Sequence, residues 1–290
     1  MTDYTQFLAT PDQLLPLLMV ADNDDLAILV DYITDSGAGR ITLAADVCNK
    51  LMVCKQVGVY HAADRQLIAH EILAFGGNTF ANFYRDIRSK LSMGSVLGGE
   101  QKHISYEELV ADVAKSLKAV VDPSDKVSNI ELAILLKVFT QAYDQMSSEE
   151  RAQLQHELGS DITLGGTVTA AVLMAGRAGG FATYRLALVV ANAIAKTLLG
   201  RGLTLVANQT LMRTMSVLLG PVGMAVTGIW TLADLASPAS RVTIPCVVQL
   251  AYMRQKALHA ALNQDCPACE TDNPRSARFC RDCGTALAGA

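Results

Sequence analysis

Apolar residues recur at three- and four-residue intervals through the first half of the chain, and most runs open on a residue suited to capping a helix. Thr10, followed by Pro11, Asp12 and Gln13, offers an N-cap, a first-turn proline and a capping-box glutamine ahead of Leu14, Leu15 and Leu18. Asn23 precedes Leu26, Leu29 and Ile33 in a stretch that stops at Ser36-Gly37-Ala38-Gly39. Ser105 with Glu108, Ser128 with Glu131 and Ser147 with Glu150 read as three further capping boxes. Over 61–75, Leu67, Ile68, Ile72 and Phe75 share one helical face. There Gly76-Gly77 predicts a left-handed stop, with Asn78 or Thr79 capping the next helix.

Period-two alternation is scarce, and no Asn-Gly or Asp-Gly hairpin signal occurs, so no sheet is expected outside the C-terminal tail. The fold class is mainly α: a multi-helix bundle ending in a small four-cysteine zinc ribbon. From Ile162 onward, alanine, glycine, leucine and valine dominate, and small residues at this density let helix backbones approach closely. Thr214 to Ala233 is uncharged and long enough to cross a bilayer, but Gly220-Pro221 breaks its middle. Thr243 predicts the cap of a last helix, with Pro245 in its first turn and Arg254 and Lys256 late along it. Three parts follow: an acidic helical domain over 1–161, an apolar helical region over 162–263 continuing the same body, and a ribbon over 264–290.

Charge sharpens that division. Residues 1–161 carry 13 Lys/Arg against 23 Asp/Glu, a balance of −10, whereas 162–233 hold Arg177, Arg185, Lys196, Arg201 and Arg213 with no acidic residue. One reading buries the basic segment as a helical hairpin whose cations answer the acidic first half. The alternative lays it on or into an anionic membrane, with the basic side chains snorkelling to the headgroups. With 51% hydrophobic and 18% charged residues among 290, the chain has ample material for a core, and a mainly disordered class is excluded.

Four of the seven cysteines form two knuckles, Cys266-Pro-Ala-Cys269 and Cys280-Arg-Asp-Cys283. Each two-residue gap aims two thiolates at one point, and two such turns complete the tetrahedral sulfur cage that zinc prefers. Because Cys266, Cys269, Cys280 and Cys283 would fill all four positions, the zinc is structural, with no place left for a substrate. Arg275, Arg278 and Arg281 are offset by Asp265, Glu270, Asp272 and Asp282, which disfavours nucleic acid and favours a protein partner. Cys48, Cys54 and Cys246 are expected as small buried thiols. No secretory signal precedes them, so the expected compartment is cytoplasmic, with the inner face of a membrane as the variant.

Catalytic signatures fail on spacing. His70-Glu71 lacks the second histidine of a zincin helix, since Ala74 stands four residues on. Glu71 is expected to tie its helix to Arg85 or Arg88. Phe75-Gly76-Gly77-Asn78-Thr79 lacks the strand and lysine of a phosphate cradle, and Gly200-Arg201-Gly202 fails similarly. A hydrolase-like enzyme would have to use Glu71 and Asn78.

Two stretches resemble the bacterial YaaW family, which is related to ubiquinol-cytochrome c chaperone proteins. One runs from Leu67-Ile68-Ala69-His70-Glu71-Ile72 through Phe75-Gly76-Gly77-Asn78 to Asn82; the other joins Gly220-Pro221-Val222-Gly223 to Arg241-Val242-Thr243-Ile244-Pro245 and Val248-Gln249. Weaker similarity extends it over most of 20–258. The resemblance implies a helical, non-enzymatic, chaperone-like protein. The ribbon lies outside it and is similar to zinc ribbons that end many bacterial chains. Gly284 fits that pattern, while Glu270 stands where glycine often follows the first knuckle.

Overall fold

A computed structural model describes residues 3–90, 104–149, 151–152, 181–203 and 239–287, without the side chains of 78–90 and 181–182. Helices α1 (Thr5–Ala9), α2 (Leu14–Val20), α3 (Asn23–Thr34), α4 (Ala45–Val57) and α5 (Ala62–Lys90) come first. They are followed by α6 (Tyr106–Ser116), α7 (Val127–Gln145), α8 (Phe181–Leu199) and α9 (Ser240–Leu262). Strands β1 (Asn263–Asp265) and β2 (Asp272–Pro274) pair antiparallel, with Gln264 opposite Asn273. The mainly helical expectation therefore holds, and the sheet belongs to the tail.

Helix α9 packs against α2, α3, α5, α6, α7 and α8, which makes it the hub of the bundle. Its stretch from Val242 to Met253 is buried throughout, polar Thr243 and Gln249 included, as befits a helix ringed by others. Leu186 to Ala195 of α8 are likewise buried, within one apolar cluster that also takes in α2, α3, α6 and α7. Among the described residues no helix is long and apolar enough to cross a membrane. Thr214–Ala233 lies outside the described residues. The basic segment answers the acidic half at Arg201, which pairs with buried Asp31 alongside Lys55. Arg177 and Arg213 lie outside the description.

Several local expectations are corrected by tertiary contacts. The Ser105–Glu108 capping box forms as read, with reciprocal bonds of 3.1 and 2.8 Å. Ser128 and Glu131 do not form one: α7 starts a residue earlier, at Val127, and Glu131 turns inward to Arg254. Thr10 ends α1 rather than capping a helix, and α2 starts only at Leu14 with no side-chain cap. That turn is recruited by the core, since Pro11 accepts a hydrogen bond from Arg254 and Asp12 accepts one from the Ser128 amide at 2.9 Å. Asn23 is the first residue of α3, and its side-chain amide donates to the Gly58 carbonyl at 2.8 Å. Ser147 does accept the first helical bond, from the Arg151 amide at 3.0 Å; Glu150 lies outside the description.

Gly76-Gly77 is no stop. Helix α5 runs through it, and a methyl group on Gly76 would overlap Ile104 Cδ1 and come within 2.7 Å of Leu109 Cδ1. Glycine is needed there for close helix approach. Helix α9 begins at Ser240, three residues before Thr243, whose hydroxyl bonds back to the Ala239 carbonyl at 3.1 Å; Pro245 thus sits inside the helix.

Helix C-termini share one device. Arg40 donates to the Tyr32 carbonyl of α3, Arg65 to the Leu18 and Ala21 carbonyls at the end of α2, and Arg151 to the Tyr143 and Asp144 carbonyls of α7. Each guanidinium fork meets carbonyls of a last helical turn, where few intrahelical donors remain; Leu18 and Tyr143 also accept the cap amides of Ala21 and Met146.

Candidate metal centre

Nothing separates α9 from the tail: Leu262 ends the helix and Asn263 begins β1. Among the described residues the tail's buried apolar cluster is small, consisting of Cys266, Cys280 and Leu287 with Cys269 and Ala277 against them. Folding this segment therefore depends on its sulfurs.

The two knuckles are near copies. The Cys266 amide donates to the Thr271 carbonyl at 2.9 Å and the Cys280 amide to the Thr285 carbonyl at 2.8 Å. The Glu270 amide returns to the Cys266 carbonyl at 2.9 Å, and the Gly284 amide to the Cys280 carbonyl at 3.1 Å. Glu270 and Gly284 hold matching left-handed conformations, φ 57° and 73°. The departure from glycine noted at Glu270 is thus a strained residue in an unchanged turn. Amides of Ala268 and Asp282 point at the Cys266 and Cys280 sulfurs, both at 3.4 Å, and the Asn273 side chain adds a second donor to Cys280 at 3.6 Å.

All four Sγ atoms lie within 4.8 Å of one another, with Cys266–Cys283 at 3.5 Å and Cys269–Cys280 at 3.6 Å. Zinc bound to four sulfurs at its usual bond length needs edges of about 3.8 Å, so this donor set fits the ion. A disulfide would bring a pair to about 2.05 Å. The backbone amide of Cys283, ahead of Asp282 and Asn273, pulls the Cys280 thiol down to about 6, while against the Thr271 bonds the sulfurs of Cys283 and Cys280 push Cys269 up to about 11. Such a cluster can hold a metal ion with four protein sulfurs and no open coordination position.

Sequence reading missed Thr271 and Thr285, whose hydroxyls lie 3.2 and 3.1 Å from the Cys269 and Cys283 sulfurs. The signal was present as Cys-x-x-Cys-x-Thr, repeated at the same offsets. Asn273 was also missed. It is fully buried, with side-chain bonds to the Thr271 carbonyl at 2.6 Å and from the Arg281 amide at 2.9 Å.

The other singled-out residues do not converge on this centre. Glu71 is mostly buried on α5 with His70 Nδ1 at 3.2 Å, and the side chains of Asn78, Arg85 and Arg88 lie outside the description. Gly200-Arg201-Gly202 follows α8; Gly202 abuts the Asn192 side chain, which accepts from the Leu203 amide at 2.7 Å. Cys48 and Cys246 are buried as expected, and burial pushes the Cys246 thiol well up. Cys54 is only half-buried.

The described elements define a helical bundle organised around one buried helix, with a metal-competent ribbon continuing it. The chain belongs to the ubiquinol-cytochrome C chaperone family, whose model matches residues 61–248. A UPF0174 protein of Helicobacter pylori is 38% identical to it over 214 residues, 73% of this chain and 78% of that protein. The UPF0174 protein YaaW of Escherichia coli is 25% identical over 250 residues, 84% of this chain and 94% of that one. No solved structure matches the chain. The YaaW-like resemblance is borne out, and the cysteine ribbon begins beyond the family match.

Proposed function

We propose that this protein is a non-catalytic, chaperone-like protein that engages a protein partner through its helical body, with one structural zinc ion in the ribbon. The family match over 61–248 carries the reading, because it covers most of the bundle and names a chaperone. The closed four-sulfur set supports a stapling role for the metal. In this reading 1–161 and 162–263 act as one body with 264–290 attached, and seven cysteines without a disulfide, four of them on the metal, suit a reducing cytoplasm.

The test is affinity capture from native cells with the full chain and with Cys280→Ser, alongside zinc quantification. The reading expects one zinc per wild-type chain and a reproducible partner set for the wild type. Loss of a partner in Cys280→Ser alone assigns recognition to the ribbon, whereas an unchanged set assigns it to the body. A wild-type chain that captures nothing reproducible, or that turns over a substrate dependent on Glu71, overturns the reading.

A further inference from the structure

Helix α9 follows the same rule as α2, α3 and α7, but the arginine at its end comes from the ribbon. Arg275 donates to the Ala260 carbonyl from Nε at 3.2 Å and from Nη2 at 2.8 Å, while its backbone amide donates to the Leu262 carbonyl at 2.9 Å. Three residues earlier, at the start of β2, Asp272 meets His259 Nε2 at 2.8 Å. His259 in turn stacks on Tyr184 of α8, centroids 5.0 Å apart and 14° from parallel, and Tyr184 stacks on Tyr252 at 6.2 Å.

We propose that the ribbon is a metal-dependent C-terminal cap for the hub helix, so that metal occupancy at the four cysteines sets the order of the last turn of α9 and of its contact with α8. The inference rests on the zinc reading above and deepens it by naming what the metal controls. A short physical route links the two. Asp272 and Arg275 sit between the knuckles, and the strand that carries Asp272 is held by Asn273, whose side chain touches the Cys280 sulfur and fixes the Arg281 amide. With so small an apolar cluster, the ribbon draws most of its folding energy from the cation, so losing it releases Asp272 and Arg275 together. The last carbonyls of α9 then lose their donors, and His259 loses the carboxylate that orients it against Tyr184. A thiol oxidant that converts the two pairs of zinc-bound thiolates to disulfides would act as chelation does, each disulfide forming as two electrons pass to the oxidant, and the ion leaving to solvent once its four ligands are gone.

Amide hydrogen exchange on the full chain tests this, comparing the zinc-loaded protein, the chelated protein and chelated protein with zinc restored. Chelation is expected to speed exchange across 264–287 and also, by roughly tenfold or more, across 257–262, with zinc restoring both. Arg275→Ala separates the cap from the metal: it is expected to keep its zinc yet show fast exchange over 257–262 in the loaded state. If chelation frees 264–287 while 257–262 stays protected, or if Arg275→Ala leaves those amides protected, the coupling fails and the zinc reading stands. A chain that binds no zinc at all removes both.

Discussion

Arg254 and Glu131 stand 123 positions apart and meet through two hydrogen bonds, 2.6 and 2.9 Å, with both side chains sealed from solvent. Tyr106 donates its hydroxyl to the same carboxylate at 2.6 Å, and burial, ahead of Glu131, pushes that hydroxyl's pKa well up. Burial alone would weaken the Arg254 charge, but Glu131 more than reverses it, so the guanidinium is held above its usual range. Three helices, α6, α7 and α9, and the turn at Pro11 are thereby tied to one point. A second knot joins Lys256 to Asp22 and Asp25 at 2.6 and 2.7 Å.

Glu131→Ala is expected to cost about 3–5 kcal/mol in chemical denaturation, because it strands a buried guanidinium. Replacing both partners, Glu131→Met with Arg254→Met, should recover most of that loss, since the apolar pair removes two desolvated charges together. A single-variant cost below about 1 kcal/mol would contradict the account.

Asp64 accepts the His61 amide at 3.0 Å at the start of α5 and pairs with Lys50 at 3.3 Å. Burial opposes its charge most, yet the His61 and Lys50 contacts outweigh it and hold the carboxyl below its unfolded value of 3.8. A depressed folded pKa contributes stability that is present above 3.8 and lost as pH falls through the folded value. Asp64→Asn should therefore cost about 1 kcal/mol near neutral pH. The gap between wild-type and variant urea midpoints should close as pH drops below that window.

Alanine at Gly76 gains about 1 kcal/mol of helix propensity and still should destabilise the protein, by about 1–2 kcal/mol net, because Ile104 and Leu109 are both buried against the site. Ile104→Val removes the overlapping Cδ1 and should relieve part of the cost in the double variant. A Gly76→Ala protein with a raised melting temperature would refute the close-approach role.

Glu270→Gly is expected to tighten zinc retention several-fold in chelator competition, by relieving a left-handed conformation that costs a residue with a side chain about 1 kcal/mol. Gly284→Ala, the matching change in the second knuckle, should loosen it by a similar factor. Equal effects of the same sign at both positions would break the proposed equivalence of the turns.

Helical spacing, the Ser105–Glu108 box and the two Cys-x-x-Cys knuckles were legible because each depends on residues within a turn or two of one another. Capping chemistry and knuckle geometry are satisfied by the backbone next door, whatever the rest of the chain does. The same local grammar misread Glu131 as a cap and Gly76-Gly77 as a stop, and it placed Arg254 and Lys256 late along the last helix without their partners. Their partners lie 123 positions away for Arg254 and 231 for the Lys256–Asp25 contact, beyond anything spacing encodes.

By itself, then, the sequence determined that this protein is helical and that four of its sulfurs are spaced to share a cation. Only the tertiary structure decided which charges are buried, which glycine makes room for a neighbour, and that the ribbon ends the hub helix instead of trailing from it. The reason is that burial changes the cost of a charge or a bare carbonyl, and a chain's burial is settled by distant segments packing together.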